Sequence, residues 1–230
     1  MTDAHCHVSC GDPSVRELLV GRDFFGVHPW ETLEEFKVER GKLKVDEELR
    51  ALLIANPKAG VGEIGLDRLK CRDIPPLMRE VFEAQLALAF ELRRPVVLHG
   101  AKCWGQVVKA IVNCELRIMN HESGDGKKPA FLFHGFSRSD GLIPDIVRLG
   151  GFISVGPAVL NDHAVNYREL VKKIPVDRLL VETDRTGGTD GTGVSIYDVL
   201  ARTAELRGVS AAELERITDA NADAFIGKMV

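Results

Sequence analysis

Short runs of aliphatic and aromatic residues, each ending in a side chain able to hold a cation, recur through this 230-residue chain and constrain its fold. Gly62-Glu63-Ile64-Gly65-Leu66-Asp67 carries Glu63. Val96-Val97-Leu98 leads into His99, Phe131-Leu132-Phe133 into His134, and Leu179-Leu180-Val181-Glu182-Thr183 into Asp184. Runs of this length and composition read as strands, expected near 3–8, 23–28, 58–64, 95–99, 130–134, 151–155 and 178–183. Helical patterns lie between most of them. The clearest covers 76–92, where Met78, Val81, Phe82, Leu86, Ala89 and Phe90 form a stripe at i, i+3, i+4 spacing that suits packing on a sheet. Others fall near 46–55, 104–113, 139–149, 162–173, 195–207 and 210–226, with Ser139, Asn161 and Ser210 as capping candidates.

Alternating strands and helices argue for a parallel α/β sheet. Polar residues gathered at the carboxyl ends of the strands are what a TIM-type (β/α) barrel requires, because its active site is built on that rim. An open doubly wound sheet brings fewer strand ends to one point. The expectation is one barrel domain over residues 1–230, a size that a single core can serve.

Asp3-Ala4-His5-Cys6-His7 adds a second kind of signal, since histidines at i, i+2 on a strand point the same way and can grip one ion. Imidazole and carboxylate ligands suit zinc, manganese, magnesium or nickel. Cys6 points to the opposite face and belongs in the barrel wall. Cys6, Cys10, Cys71, Cys103 and Cys114 show no zinc-finger spacing and follow no secretory leader, which points to reduced thiols in a cytoplasm. No apolar run approaches the length of a membrane span. With a net charge of −4 the chain has no global attraction for a polyanion, so any nucleic-acid contact must be local. The Gly187–Gly193 stretch reads as a loop too short to link domains.

Several motifs then follow one another in order: DAHCH at 3–7, GVHP at 26–29, GVGEIGLD at 60–67 and the segment from Gln85 to His99. His134-Gly135-Phe136-Ser137, Glu182-Thr183-Asp184 and a pattern from Asn221 to Phe225 complete the series. Together they resemble the TatD family of metal-dependent hydrolases, within the amidohydrolase-like group of barrel enzymes. The resemblance implies two neighbouring divalent ions, with His5, His7, Glu63 and Asp184 on one and Glu63, His99 and His134 on the other. Glu63 bridges them, and Asp184 serves both as ligand and as the base that orients the attacking water, so these two are the catalytic pair.

The chain also departs from the family pattern. Few residues separate DAHCH from GVHP, where the family carries a further strand and helix, and Ser14–Val20 reads as one short helix with no strand. The expectation is a distorted or seven-stranded barrel, with a partner subunit as one way to seal it. Trp30 follows His28-Pro29 where the family commonly has another polar residue, so His28 is divided between substrate contact and structure. Arg185-Thr186-Gly187-Gly188 replaces a small residue and proline after Asp184.

Lys102, Arg138 and Arg185 each follow a ligand-bearing strand and can form a phosphate clamp. Trp30 and Trp104 offer rings for stacking on a base, or pack under loops; His121 and His163 read as surface residues. The principal expectation is a deoxyribonuclease of exonuclease type, cleaving phosphodiester bonds at DNA ends or in single strands with metal-activated water. The rivals are an ester, amide or lactone hydrolase, such as an aminoacyl-tRNA deacylase, and a metal-stabilised scaffold without catalysis.

Overall fold

The computed structural model describes residues 1–34, 44–121, 128–187 and 193–227. Its strands are β1 (Thr2–Cys6), β2 (Arg16–Leu19), β3 (Phe24–Phe25), β4 (Gly60–Asp67), β5 (Val96–Ala101), β6 (Phe131–Phe133), β7 (Gly151–Val155) and β8 (Leu179–Val181). β1 pairs with β2, and β3 to β8 pair in sequence order, every pair being parallel. One parallel bridge, Val20 to Phe24, joins β2 to β3. At the other seam the Asp184 amide donates to the His5 carbonyl at 3.0 Å, and the His7 amide to the Arg185 carbonyl at 2.9 Å. The helices are α1 (Glu31–Glu34), α2 (Lys44–Ala55), α3 (Pro76–Leu92), α4 (Trp104–His121), α5 (Ile143–Arg148), α6 (Val165–Lys173), α7 (Ile196–Arg207) and α8 (Ala211–Ile226). The architecture is an α/β barrel of TIM type.

The seven-strand alternative is corrected by β2, which occupies the segment expected to be helical. Glu17, Leu18 and Leu19 are all buried there. A helix this short has little stability of its own, so burial beside β1 decides the conformation. The distortion lies in the connections instead. Among the described residues, β1 is followed by loop 7–15 and β2 by Val20–Asp23, with no helix in either. Loop 7–15 is pinned by Glu17, whose carboxylate accepts from the Ser9 hydroxyl and from the Cys10 amide at 2.6 Å.

Strand alternation sorts the core into two layers. Val96, Leu98, Phe131, Phe133, Ile153, Val155, Leu179 and Val181 point outward into the cluster shared with the helices. Leu18, Phe24, Val97, Leu132, Phe152 and Leu180 form an inner cluster with Ala222 and Phe225 of α8. Two residues further along the same inner face come His99, His134, Ser154 and Glu182, so the apolar floor passes directly into the polar rim. α8 closes that floor: Phe225 is fully buried, stacked 5.8 Å from Phe24 and edge-to-face with Phe152 at 6.0 Å. Asn221 fixes its depth by donating to the carbonyls of Val176 and Leu179, both at 2.8 Å. Trp104 packs in the outer layer at 5.5 Å from Phe133 and 5.4 Å from Phe136, so it is a core residue rather than a stacking surface. Phe225→Ala should lower unfolding free energy by about 3–5 kcal/mol, read as a shifted urea midpoint with unchanged slope.

Candidate metal centre

Glu63 lies on β4 with its carboxylate 2% exposed, and its two oxygens face different groups of imidazoles. Oε2 is 3.3 Å from Nε2 of His5 and 3.3 Å from Nε2 of His7. Oε1 is 2.6 Å from Nδ1 of His99 and 2.6 Å from Nε2 of His134. Asp184 joins the first group, with Oδ1 3.6 Å from Nε2 of both His5 and His7. Asp184 has a left-handed φ of 49°, an uncommon conformation for a non-glycine residue, and the hydrogen bond from the Asp184 amide to the His5 carbonyl secures that turn. Close approach of β4 to β5 depends on Gly65, where a Cβ would stand 1.9 Å from the His99 carbonyl oxygen.

The donor set fits a divalent cation. His5, His7 and Asp184 bring ligand atoms within 4.8 Å of one another, as do His5, Glu63 and His134. Buried His5 has neither ring nitrogen hydrogen-bonded, and Nδ1 of His134 likewise makes no hydrogen bond. Burial would push Glu63 upward, but His134, His28 and His5 overcome it and hold the carboxylate well below its usual range. Asp184 shows the same balance, with burial outweighed by His7, His134 and His5. Conversely, Asp184 and Glu63 raise His7 to about 9. His99 and His134 are also raised, against burial, by Asp67 and Glu63 for the former and by Glu63 and Glu182 for the latter.

Further carboxylates hold the histidines in place, as orienting partners do around metal ligands. Nε2 of His99 meets Oδ2 of fully buried Asp67 at 2.9 Å, leaving Nδ1 for the centre. Oε1 of Glu182 lies 3.8 Å from Nδ1 of His134 and accepts from the Gly135 amide at 2.7 Å. Asp3 accepts from the Thr183 amide at 2.9 Å and the Thr183 hydroxyl at 2.6 Å, tying β1 to the segment that carries Asp184. Burial raises Asp3 to about 7. The sequence pattern left these three unmarked, although Asp3 and Glu182 lie at i−2 from proposed ligands, which is a same-face spacing on a strand.

His28 enters the site with its Nε2 3.4 Å from Oε1 of Glu63. Its Nδ1 accepts from the Trp30 amide at 3.2 Å, so in the neutral ring Nε2 carries the proton and acts as a donor. Gln85 of α3 holds this segment by accepting from the Val27 amide at 2.6 Å and donating to its carbonyl at 3.1 Å. The three expected clamp cations differ in setting. Arg185 is half-buried, 3.8 Å from Glu17, while Lys102 and Arg138 are exposed with left-handed φ values of 55° and 56°. Cys6 is buried in the wall, its thiol toward the Leu18 carbonyl, and His163 is exposed. The side chain of His121 and most of the Gly187–Gly193 loop lie outside the described residues.

A family model described as TatD related DNase matches residues 21–227. The chain belongs to the TatD family. It is 27% identical over 214 residues to the 3'-5' ssDNA/RNA exonuclease TatD of Citrobacter rodentium, covering 88% of this chain and 75% of that one. With the uncharacterized metal-dependent hydrolase YcfH of Escherichia coli K12 it shares 26% identity over 218 residues, 90% of this chain and 76% of the relative. The match to the uncharacterized metal-dependent hydrolase YabD of Bacillus subtilis is 31% identical over 124 residues, 54% of this chain. The chain spans only 45% of YabD and 56% of a Buchnera aphidicola metal-dependent hydrolase, about half of each. The solved TatD homolog YJJV of Escherichia coli superposes with a TM-score of 0.69 at 24% identity, covering 94% of this chain and 78% of that one, which shows the fold.

Membership in a family of metal-dependent hydrolases makes cation uptake measurable in two ways. Asp67→Asn should weaken divalent-metal affinity about 10- to 100-fold by calorimetry, because His99 loses its orienting charge. An imidazole ligates only when neutral, and His7 holds its proton up to about pH 9. Apparent affinity should therefore rise by at least about tenfold per pH unit from pH 7 and level off above about 9, as measured by chelator competition.

Proposed function

We propose that this TatD-family metal-dependent hydrolase is a nuclease that removes nucleotides from an end of single-stranded DNA, using two divalent ions. The observation that carries the two-ion reading is the division of Glu63: one oxygen toward His5 and His7, the other toward His99 and His134. His5, His7, Asp184 and Glu63 would hold one ion, and Glu63, His99 and His134 the other. When bound, such ions lower the pKa of a bound water and neutralise charge developing on the reacting oxygens.

The protein groups supply position and proton transfer. Asp184 is 44% exposed, is kept ionised by its histidine neighbours, and faces the open rim, as a base that orients water and takes its proton must. His28 presents an N–H toward the centre, a donor for a phosphate oxygen. Exposed Lys102 and Arg138, at the ends of β5 and β6, supply charge for the strand. With a net charge of −4 the molecule favours a short local contact over a long duplex, which suits a strand end. The name of the Citrobacter rodentium relative, a 3'-5' ssDNA/RNA exonuclease, supports attack from an end of a single strand. The five free cysteines agree with a cytoplasmic setting, and no helix among the described residues is long and apolar enough to cross a membrane.

The test is digestion of a single strand labelled at either end by metal-stripped protein resupplied with Mg, Mn or Zn. Stepwise shortening from one end is expected, with Asp184→Asn slower by about 10²–10⁴-fold. A protein that binds metal stoichiometrically yet leaves the strand intact while cleaving aryl or lactone esters overturns the nuclease assignment.

A further inference from the structure

Trp30 is the exposed member of the chain's two tryptophans, at 43% against 3% for Trp104. Large aromatic rings at a surface usually lack a fixed orientation, but this one is anchored at its edge. Its indole N–H donates to Oδ2 of Asp67 at 2.7 Å, the same oxygen that meets His99. The ring stands 4.9 Å from His28 and 6.2 Å from His99, so it borders the metal centre directly. The ammonium of Lys70 lies 4.4 Å above its centroid, so this face of the ring is covered by one long, flexible side chain.

The surroundings are cationic and unneutralised. Arg68, Leu69, Arg72 and Lys102 line one open depression beside Lys70. Among the described residues none of the side chains of Arg68, Lys70, Arg72 and Lys102 has a carboxylate partner, and the Arg68 guanidinium donates to the Arg72 carbonyl at 3.0 Å. Elsewhere cations are commonly paired, as in Arg16 with Asp223, Arg50 with Glu91, Arg168 with Asp162 and Lys173 with Asp140. The 68–70 turn is itself fixed by Asp67, whose Oδ1 accepts from the amides of Leu69 and Lys70. One carboxylate thus sets the ring, the basic turn and a proposed metal ligand.

We propose that Trp30 is the base-stacking platform of the substrate path: a nucleobase next to the cleaved bond lies on the indole, and its flanking phosphates run along Lys70, Arg72 and Lys102. This rests on the nuclease reading and adds the subsite that reads the strand. Stacking on an aromatic ring is indifferent to base identity, so the site favours unpaired strands of any sequence. Lys70 leaves the ring for a phosphate as the base arrives.

Fluorescence tests this without turnover, because Trp104 is buried. Metal-free protein is titrated with oligothymidylate and with an abasic strand of equal length. Oligothymidylate should quench emission and the abasic strand should not, with the quench absent in Trp30→Phe, where only Trp104 emits. In metal-loaded protein, Trp30→Ala should raise KM for the thymidylate strand about tenfold while altering KM for the abasic strand far less, and Trp30→Phe, which keeps a ring, should recover most of the loss. Equal KM changes on both strands would assign Trp30 a structural role alone and overturn the platform. Unchanged KM in Trp30→Ala, in protein that still shortens DNA, would overturn the platform and leave the nuclease reading intact. Wild-type protein that neither cleaves DNA nor shows quenching would remove both.

Discussion

The charge of Glu63, held at the centre of the barrel and out of water, is the constraint around which the rim is arranged. An isolated carboxylate in such a place costs several kcal/mol. The surroundings answer with imidazoles: His5 and His7 from the end of β1, His28 beyond β3, His99 on β5 and His134 after β6. Those imidazoles need fixed directions, and Asp67, Glu182 and Asp3 provide them from behind. The result is a shell in which imidazoles and carboxylates alternate, each group held by the next, and in which a cation at the middle would meet donors from several sides.

Much of this was legible in the sequence because barrel geometry converts local patterns into spatial ones. A parallel strand buried on both faces must be apolar until it reaches the rim, so the first polar residue after an apolar run is a rim residue. That is why His99 and His134 could be marked from their neighbours alone, and why the stripe over 76–92 matches α3 at both ends. The remainder depended on tertiary context. β2 has only four residues, and neither its pattern nor its length distinguishes strand from helix until β1 lies beside it. Asp67 resembles an ordinary turn carboxylate after a strand, and only the fold reveals that His99 and Trp30 share one of its oxygens. Trp104 and Trp30 follow strand ends in similar fashion, yet the space available sends one into the core and the other to the surface.

The first part of the barrel departs from the regular strand-and-helix alternation, and it does so economically. Without helices after β1 and β2, polar side chains take over the work of fixing the chain. Glu17 secures loop 7–15 and faces Arg185 across the seam, while Arg16 binds Thr2 and reaches Asp223 on α8. The floor is unaffected, since Phe225 rises into it from α8 and meets Phe24 and Phe152.

The seam between β1 and β8 also gives the site a history in time. Asp3 and Thr183 are 180 residues apart in the chain, and their contact brings His5 and His7 beside Asp184. Pairings of such long sequence separation form late, because the intervening chain must be ordered first. Until then Glu63 can meet His99 and His134 from its own sheet, but lacks the donors on its other side. A nascent or incompletely folded chain therefore brings together only part of this donor set, and a cation that bound the whole set would stabilise the finished ring by mass action.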